Sequence, residues 1–230
     1  MKIMIFDQGH TVTEQMRSKA LAVFGQMGES DTEMVIAKAS PDDCDNALDM
    51  LEKAVREERP QVLLIGATSL GEELAPALGI RLRTGVAAHC IDMFLSDDGQ
   101  LVFIIPAFGG KVVGEIMIPG AGPGRPAVAS VKPDAFANEG EVCGEGFGAD
   151  IAVRTIDLVP SGNGRGFRTT GKRPVETTAA DIGTADLVLC GGYGLGSEEN
   201  WKRLENIANA LGGAAGCTRP VADAGWGADE

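Results

Sequence analysis

Histidine is nearly missing from this chain, with only His10 and His89 among 230 residues. That leaves almost no material for a Ser–His–Asp triad or a histidine-rich metal site. Cysteine occurs five times (Cys44, Cys90, Cys143, Cys190, Cys217), but in odd number, scattered and never as a Cys-x-x-Cys pair. The pattern argues against a disulfide framework or a zinc site and fits a reducing cytoplasm. Basic clusters are absent too. Twenty Lys and Arg face 33 Asp and Glu, for a formal charge of −13. Nucleic-acid affinity comes from neutralising phosphates with cations, so DNA and RNA are poor partners. No apolar run approaches the roughly 18 residues of a spanning helix, which argues against membrane insertion. Aromatics make up only 5% of residues, whereas aliphatics dominate the 44% hydrophobic content and glycine occurs 32 times. Many tight turns and close backbone approaches are implied, and the class expected is α/β.

Strand and helix patterns alternate along the chain. "KIMIF" reads as a short buried strand, and "TEQMRSKALAVFGQMG" follows with apolar residues at helical spacing. "TEMVIAKA" and "SPDDCDNALDMLEKAVREERP" repeat that order, with Pro41 near the helix start and Asp42, Asp43 and Asp45 favouring its positive end. "QVLLIGAT" is nearly all apolar, as a parallel strand covered on both faces should be, and "SLGEELAPALGIRL" reads as a helix opened by Ser69. Shorter strand-like runs come next: "TGVAAHCIDMFL", "GQLVFIIPAF", "KVVGEIMI" and "AVASV", with "SDDG" as a turn. "GADIAVRTIDLVPSG" adds an alternating strand, and the glycine-rich, basic "GNGRGFRTTGKRPVETT" reads as a linker. "ADLVLC", "SEENWKRLENIANALG" and "AAGCT" then supply strand, helix and strand. The expectation is a doubly wound parallel sheet with a β-rich extension, followed by the first part of a second α/β domain. Its boundaries are placed at 1–165 for the first, nucleotide-binding-like domain, 166–180 for the linker and 181–230 for the second.

"GGYGLGS" between a strand and a helix is close to the glycine fingerprint that lets backbone N–H groups approach a pyrophosphate. Gly192, Gly194 and Ser197 occupy its small positions, but Glu198 and Glu199 follow at once. Those carboxylates repel a phosphate and complement the helix dipole. With Ser197 as N-cap, the helix end is satisfied by protein groups, and capping is the favoured reading of the glycine loop.

The ordered series "GATS", "PAFGG", "RPAVASVKP" and "LVLCGGYGLGSEENW…GCTRPVADAGW" is similar to the α subunit of electron-transfer flavoproteins over most of residues 60–226. The resemblance implies a non-catalytic electron carrier. FAD in a C-terminal domain would take electrons from dehydrogenases such as acyl-CoA dehydrogenases, beside a β subunit. It also implies cofactor-binding positions at Gly192, Gly194, Thr218 and Arg219, with Arg219 against the flavin ring. Tyr193 stands where the family commonly has arginine, and Thr218 where it has serine. Family segments beyond "DAGW" have no counterpart, so the C-terminal FAD domain is expected to be incomplete. FAD is then weak or absent in this chain, and a homodimer is open to it when alone.

Other chemistry is thin. His89 and Cys90 lie on an apolar strand pattern and read as a packed pair, not as a base and its nucleophile. Asp7 ends the first strand and reads as a turn or capping residue. "PAFGG" reads as a tight turn, Arg125 and Lys132 as solvated charges, and Arg219 alternatively as a surface arginine paired with Asp223. No metal ligand set is expected. A flavin-free nucleotide-binding or subunit-docking module is the alternative function. An NAD-dependent dehydrogenase is disfavoured by Glu198 and Glu199 and by the missing acidic residue about 20 positions beyond the loop.

Overall fold

Side chains along the first strand, β1 (Lys2–Asp7), point alternately into two separate cores. Ile3 and Ile5 pack with Val12, Met16, Ala20 and Phe24 of helix α1 (Thr11–Phe24). Met4 and Phe6 pack on the opposite face with residues of α2 (Ala47–Glu58) and α3 (Ser69–Leu82). The same division runs through β3 (Val62–Gly66), all of whose residues are buried. A strand with helices on both faces has no polar side, which is why β3 reads as a continuous apolar run. Each Leu or Ile buried this way contributes about 1.5–3 kcal/mol, so the two cores carry the first unit.

The computed structural model describes residues 1–8, 11–25, 32–40, 46–133, 135–136, 151–159, 170–171, 182–183 and 185–227. Besides β1 and β3, the main sheet contains β2 (Glu33–Lys38), β4 (Val86–Cys90), β8 (Ala127–Val131) and β9 (Ala152–Asp157). Its order is β4-β8-β3-β1-β2-β9, and every pairing in it is parallel. This is the doubly wound sheet expected. β5 (Asp92–Leu95), β6 (Leu101–Ala107) and β7 (Val112–Ile116) form a separate antiparallel meander.

The β-rich run is therefore divided. Its last element, β8, is wholly buried and sits beside β3 inside the parallel sheet. Its first element splits in two: β4 joins the sheet edge, a register shift between Ala87 and Cys90 follows, and β5 belongs to the meander. The physical cause is local, because His89 takes φ 56° within that irregularity and redirects the chain. At α3 the cap lies one residue earlier than expected. Thr68 is extended and its Oγ1 accepts from the Gly71 N–H at 3.2 Å, which makes Ser69 the first helical residue.

The chain divides into two compact units, Met1–Thr169 and Thr170–Glu230. Of the segment 166–180, only Thr170 and Gly171 are described; His10, Pro41, Asp42, Asp43, Cys44, Asp45 and Cys143 also lie outside the described residues. The second unit holds β10 (Val188–Gly191), a 3-10 turn (Tyr193–Leu195), α4 (Glu198–Ala210), β11 (Ala214–Cys217) and the short α5 (Arg219–Asp223). β10 and β11 run parallel, from Val188 opposite Ala214 to Gly191 opposite Cys217. Trp201, only 4% exposed, is the large side chain that α4 buries.

Candidate functional site

The parallel pairing of β10 and β11 brings their carboxyl ends side by side, and the loops leaving those ends carry all four residues singled out by resemblance. The amide of Thr218 donates to the carbonyl of Gly191 at 3.0 Å, which ties the two loops at their base. In open α/β sheets, ligands are taken beyond the carboxyl ends of the strands, which is where these two loops lie.

The glycine loop is built from close approaches on one side and open space on the other. At Gly191 a Cβ would lie 2.6 Å from Leu195 Cδ1, 3.1 Å from Trp201 Cζ3 and 3.2 Å from Leu204 Cδ1. Glycine is needed there for packing. Gly192 and Gly194 have nothing within 4 Å of where a Cβ would stand, so their backbones face free space. Gly196 turns the chain at φ 77°, and Ser197 then caps α4 by accepting from Asn200 N–H at 3.3 Å. Asn200 Nδ2 donates back to the Leu195 carbonyl at 2.6 Å. Capping by Ser197 is thus realised as the sequence indicated.

The two acidic residues that follow are each matched one turn along. Glu198 pairs with Lys202 at 2.6 Å and Glu199 with Arg203 at 2.7 Å. The hydrogen bond from Lys202 holds the Glu198 carboxyl below its usual range.

On the loop after β11, Thr218 is the extended residue before α5 and does not cap it through its side chain. Arg219 is the first helical residue; its Nε donates to Asp223 Oδ1 at 2.7 Å, and its side chain is 74% exposed. That pairing is the surface arrangement weighed from the sequence. Sequence reasoning missed a further contact. Tyr193 and Trp226 stack with ring centroids 5.1 Å apart and planes 8° from parallel. The signal available was two aromatics in a chain poor in them, Tyr193 just after β10 and Trp226 just after α5.

Elsewhere the candidates have structural partners. Asp7 accepts from Thr13 Oγ1 at 3.1 Å and lies 3.5 Å from Lys38 Nζ, which ties the end of β1 to α1. Cys90 is fully buried and its thiol, donating to the Ala87 carbonyl, is pushed up to about 12 by burial. His89 points instead to Glu72, at 3.5 Å. Arg125 donates to the Arg83 carbonyl at 2.8 Å, and the turn at Phe108, Gly109 and Gly110 has positive φ throughout. Among the described residues, no group of three or more His, Cys, Asp and Glu is placed to hold a metal ion, and no helix is long and apolar enough to cross a membrane.

A doubly wound parallel unit followed by a βαβ with an open glycine loop defines a protein of the α/β class. The family models for "Electron transfer flavoprotein domain" and "Electron transfer flavoprotein FAD-binding domain" match residues 26–182 and 181–230, and the chain belongs to the electron transfer flavoprotein family. It is similar to the electron transfer flavoprotein subunit alpha of Megasphaera elsdenii, 34% identical over an alignment of 183 residues that covers 74% of this chain and 49% of the relative. Protein FixB of Rhizobium meliloti (strain 1021) is 31% identical over 76% of this chain and 48% of its own length. A lactate dehydrogenase (NAD(+),ferredoxin) subunit, LctC of Acetobacterium woodii, is 28% identical over 77% of the chain and 40% of its own length. The chain spans less than half the length of each of these relatives.

Proposed function

We propose that this chain acts as the α subunit of an electron-transfer flavoprotein, a non-catalytic carrier in the cytoplasm that holds FAD at the carboxyl ends of β10 and β11. The supporting observation is the open backbone at Gly192 and Gly194, directly across the paired strand ends from Thr218 and Arg219, within the segment matched by the FAD-binding domain model. Backbone N–H groups without a Cβ in the way suit a pyrophosphate, and the pairing of Glu198 and Glu199 with Lys202 and Arg203 offsets their repulsion. When bound, FAD supplies the electron-accepting chemistry.

This chain's own contribution is positioning and charge. The positive charge of an arginine guanidinium at position 219 favours reduced, negatively charged flavin forms. A β subunit completes the assembly in this reading, and dehydrogenases donate the electrons. The chain alone is expected to hold FAD weakly, because one βαβ unit encloses little of a dinucleotide.

The test is a redox titration of the complex formed with FAD and the β subunit. At about 4 Å in an effective dielectric near 20, the Arg219 attraction is about 4 kcal/mol before desolvation, and a net of roughly 1–2 kcal/mol remains. Arg219→Ala should then lower the one-electron potential by on the order of 50–100 mV. An unchanged potential removes Arg219 from the site, and a chain that gains no flavin in any company removes the function.

A further inference from the structure

Two loops form the proposed site, and both are rich in glycine: Gly192, Gly194 and Gly196 on one side, Gly225 and Gly227 on the other. Their shared base is the hydrogen bond from Thr218 N–H to the Gly191 carbonyl. The Tyr193–Trp226 stack is a second junction. Its planes lie 8° apart with centroids at 5.1 Å, and it joins residues 33 positions apart in sequence (226 − 193).

The backbone behind each ring is anchored. Tyr193 opens the 3-10 turn, and its carbonyl accepts from Gly196 N–H at 3.1 Å. Trp226 N–H donates to the Val221 carbonyl at 3.2 Å, and Gly225, at φ 71°, donates to Ala222 at 2.8 Å. Trp226 is therefore anchored to α5, the turn that carries Arg219. Gly227 lies so close to Cys217 Sγ and Trp201 that a Cβ there would be 3.0 Å and 3.2 Å from them, which holds the end of this segment on the body of the unit. Tyr193 remains 61% exposed, so the stack is not a by-product of core packing.

We propose that the Tyr193–Trp226 stack is a clasp that sets the spacing between the glycine loop and the Arg219 turn, so that Tyr193 and Trp226 are positioning residues for FAD. The proposal rests on the FAD reading above. The clasp acts through the ring faces and not through the phenol hydroxyl. Phenylalanine at 193 should therefore preserve it, and a residue without a planar ring should not.

The experiment uses the 230-residue chain as wild type and as Tyr193→Phe, Tyr193→Leu and Tyr193→Ala, with leucine retaining apolar bulk should alanine impair folding. Without ligand, near-ultraviolet circular dichroism reads the coupled rings, and amide hydrogen exchange reads Thr218, Val221 and Trp226. With FAD added, flavin fluorescence reads affinity. The expected result is loss of the ring signal and exchange faster by about five- to tenfold in the Leu and Ala variants, with Phe close to wild type. FAD affinity should fall by a similar factor in the same two variants and stay within about twofold in Phe. An unchanged ring signal or unchanged exchange in both Leu and Ala overturns the clasp. So does a lost signal with undiminished FAD affinity. If no variant, wild type included, binds FAD either alone or together with the β subunit while exchange still follows the ring, the clasp stands and the FAD reading fails.

Discussion

Gly71, in the first turn of α3, lies against the carbonyl of Gly66 so closely that a Cβ at position 71 would stand 1.8 Å from the Gly66 oxygen. The obstacle is backbone at the buried end of β3, which cannot swing aside as a side chain can. Alanine is better than glycine in a helix by about 1 kcal/mol, but overpacking a rigid contact costs about 3 kcal/mol and wins. Gly71→Ala should therefore lower unfolding free energy by about 2 kcal/mol net or more, read as a reduced urea midpoint. A midpoint equal to wild type would mean that α3 does not press on β3 in this way.

Adjacent glycines in the second unit should behave oppositely. Gly191→Ala drives a methyl into Leu195, Trp201 and Leu204, and should cost about 1–3 kcal/mol while altering Trp201 fluorescence. Gly192→Ala meets nothing within 4 Å and has φ −99°, so its stability should stay within about 0.5 kcal/mol of wild type. Any loss of FAD affinity in Gly192→Ala then reports the ligand contact alone. Equal stability losses in the two variants would contradict the packing.

Near the amino end of the main sheet, Glu33 and Glu58 are bridged by Arg154 and by Lys2. Hydrogen bonds from Arg154 hold both carboxyls below the usual glutamate range, against the opposing effect of burial. Depressed carboxyls contribute stability above the unfolded value of about 4.3, and that contribution is lost as pH falls through their lower folded values. Stability should thus decline on acidification, and Arg154→Ala should flatten that decline. Urea unfolding at neutral and acidic pH, compared for the two proteins, provides the check; parallel pH profiles would count against the bridge.

Two cysteines differ sharply in their surroundings. Cys190 is exposed, whereas Cys90 is fully buried with its thiol pushed up to about 12. Since the thiolate is the reactive form, iodoacetamide at mildly alkaline pH should label Cys190 well before Cys90, and denaturant should remove the difference. Peptide mass spectrometry resolves the sites, and early labelling of Cys90 in native protein would place it elsewhere than in the core.

The sequence by itself determined the local elements and the family. The apolar run of β3 announced a strand covered on both faces, and Ser197 before Glu198 announced a capped helix. "GATS", "PAFGG" and "GCTRPVADAGW" carried a resemblance that no single element supplies. These are legible because their causes lie within a few residues: periodicity, caps and backbone-permissive glycine. What the tertiary structure alone decided is which strands are neighbours. "AVASV" and the first half of "TGVAAHCIDMFL" read as part of a β-rich extension, yet β8 and β4 enter the parallel sheet, because their partners come from distant parts of the chain. The same holds at the paired strand ends. Gly192 and Gly194 were legible as a glycine loop, but the Thr218–Gly191 bond and the Tyr193–Trp226 stack exist only because β10 and β11 pair in parallel register, and pairing between remote segments leaves no periodic trace in either.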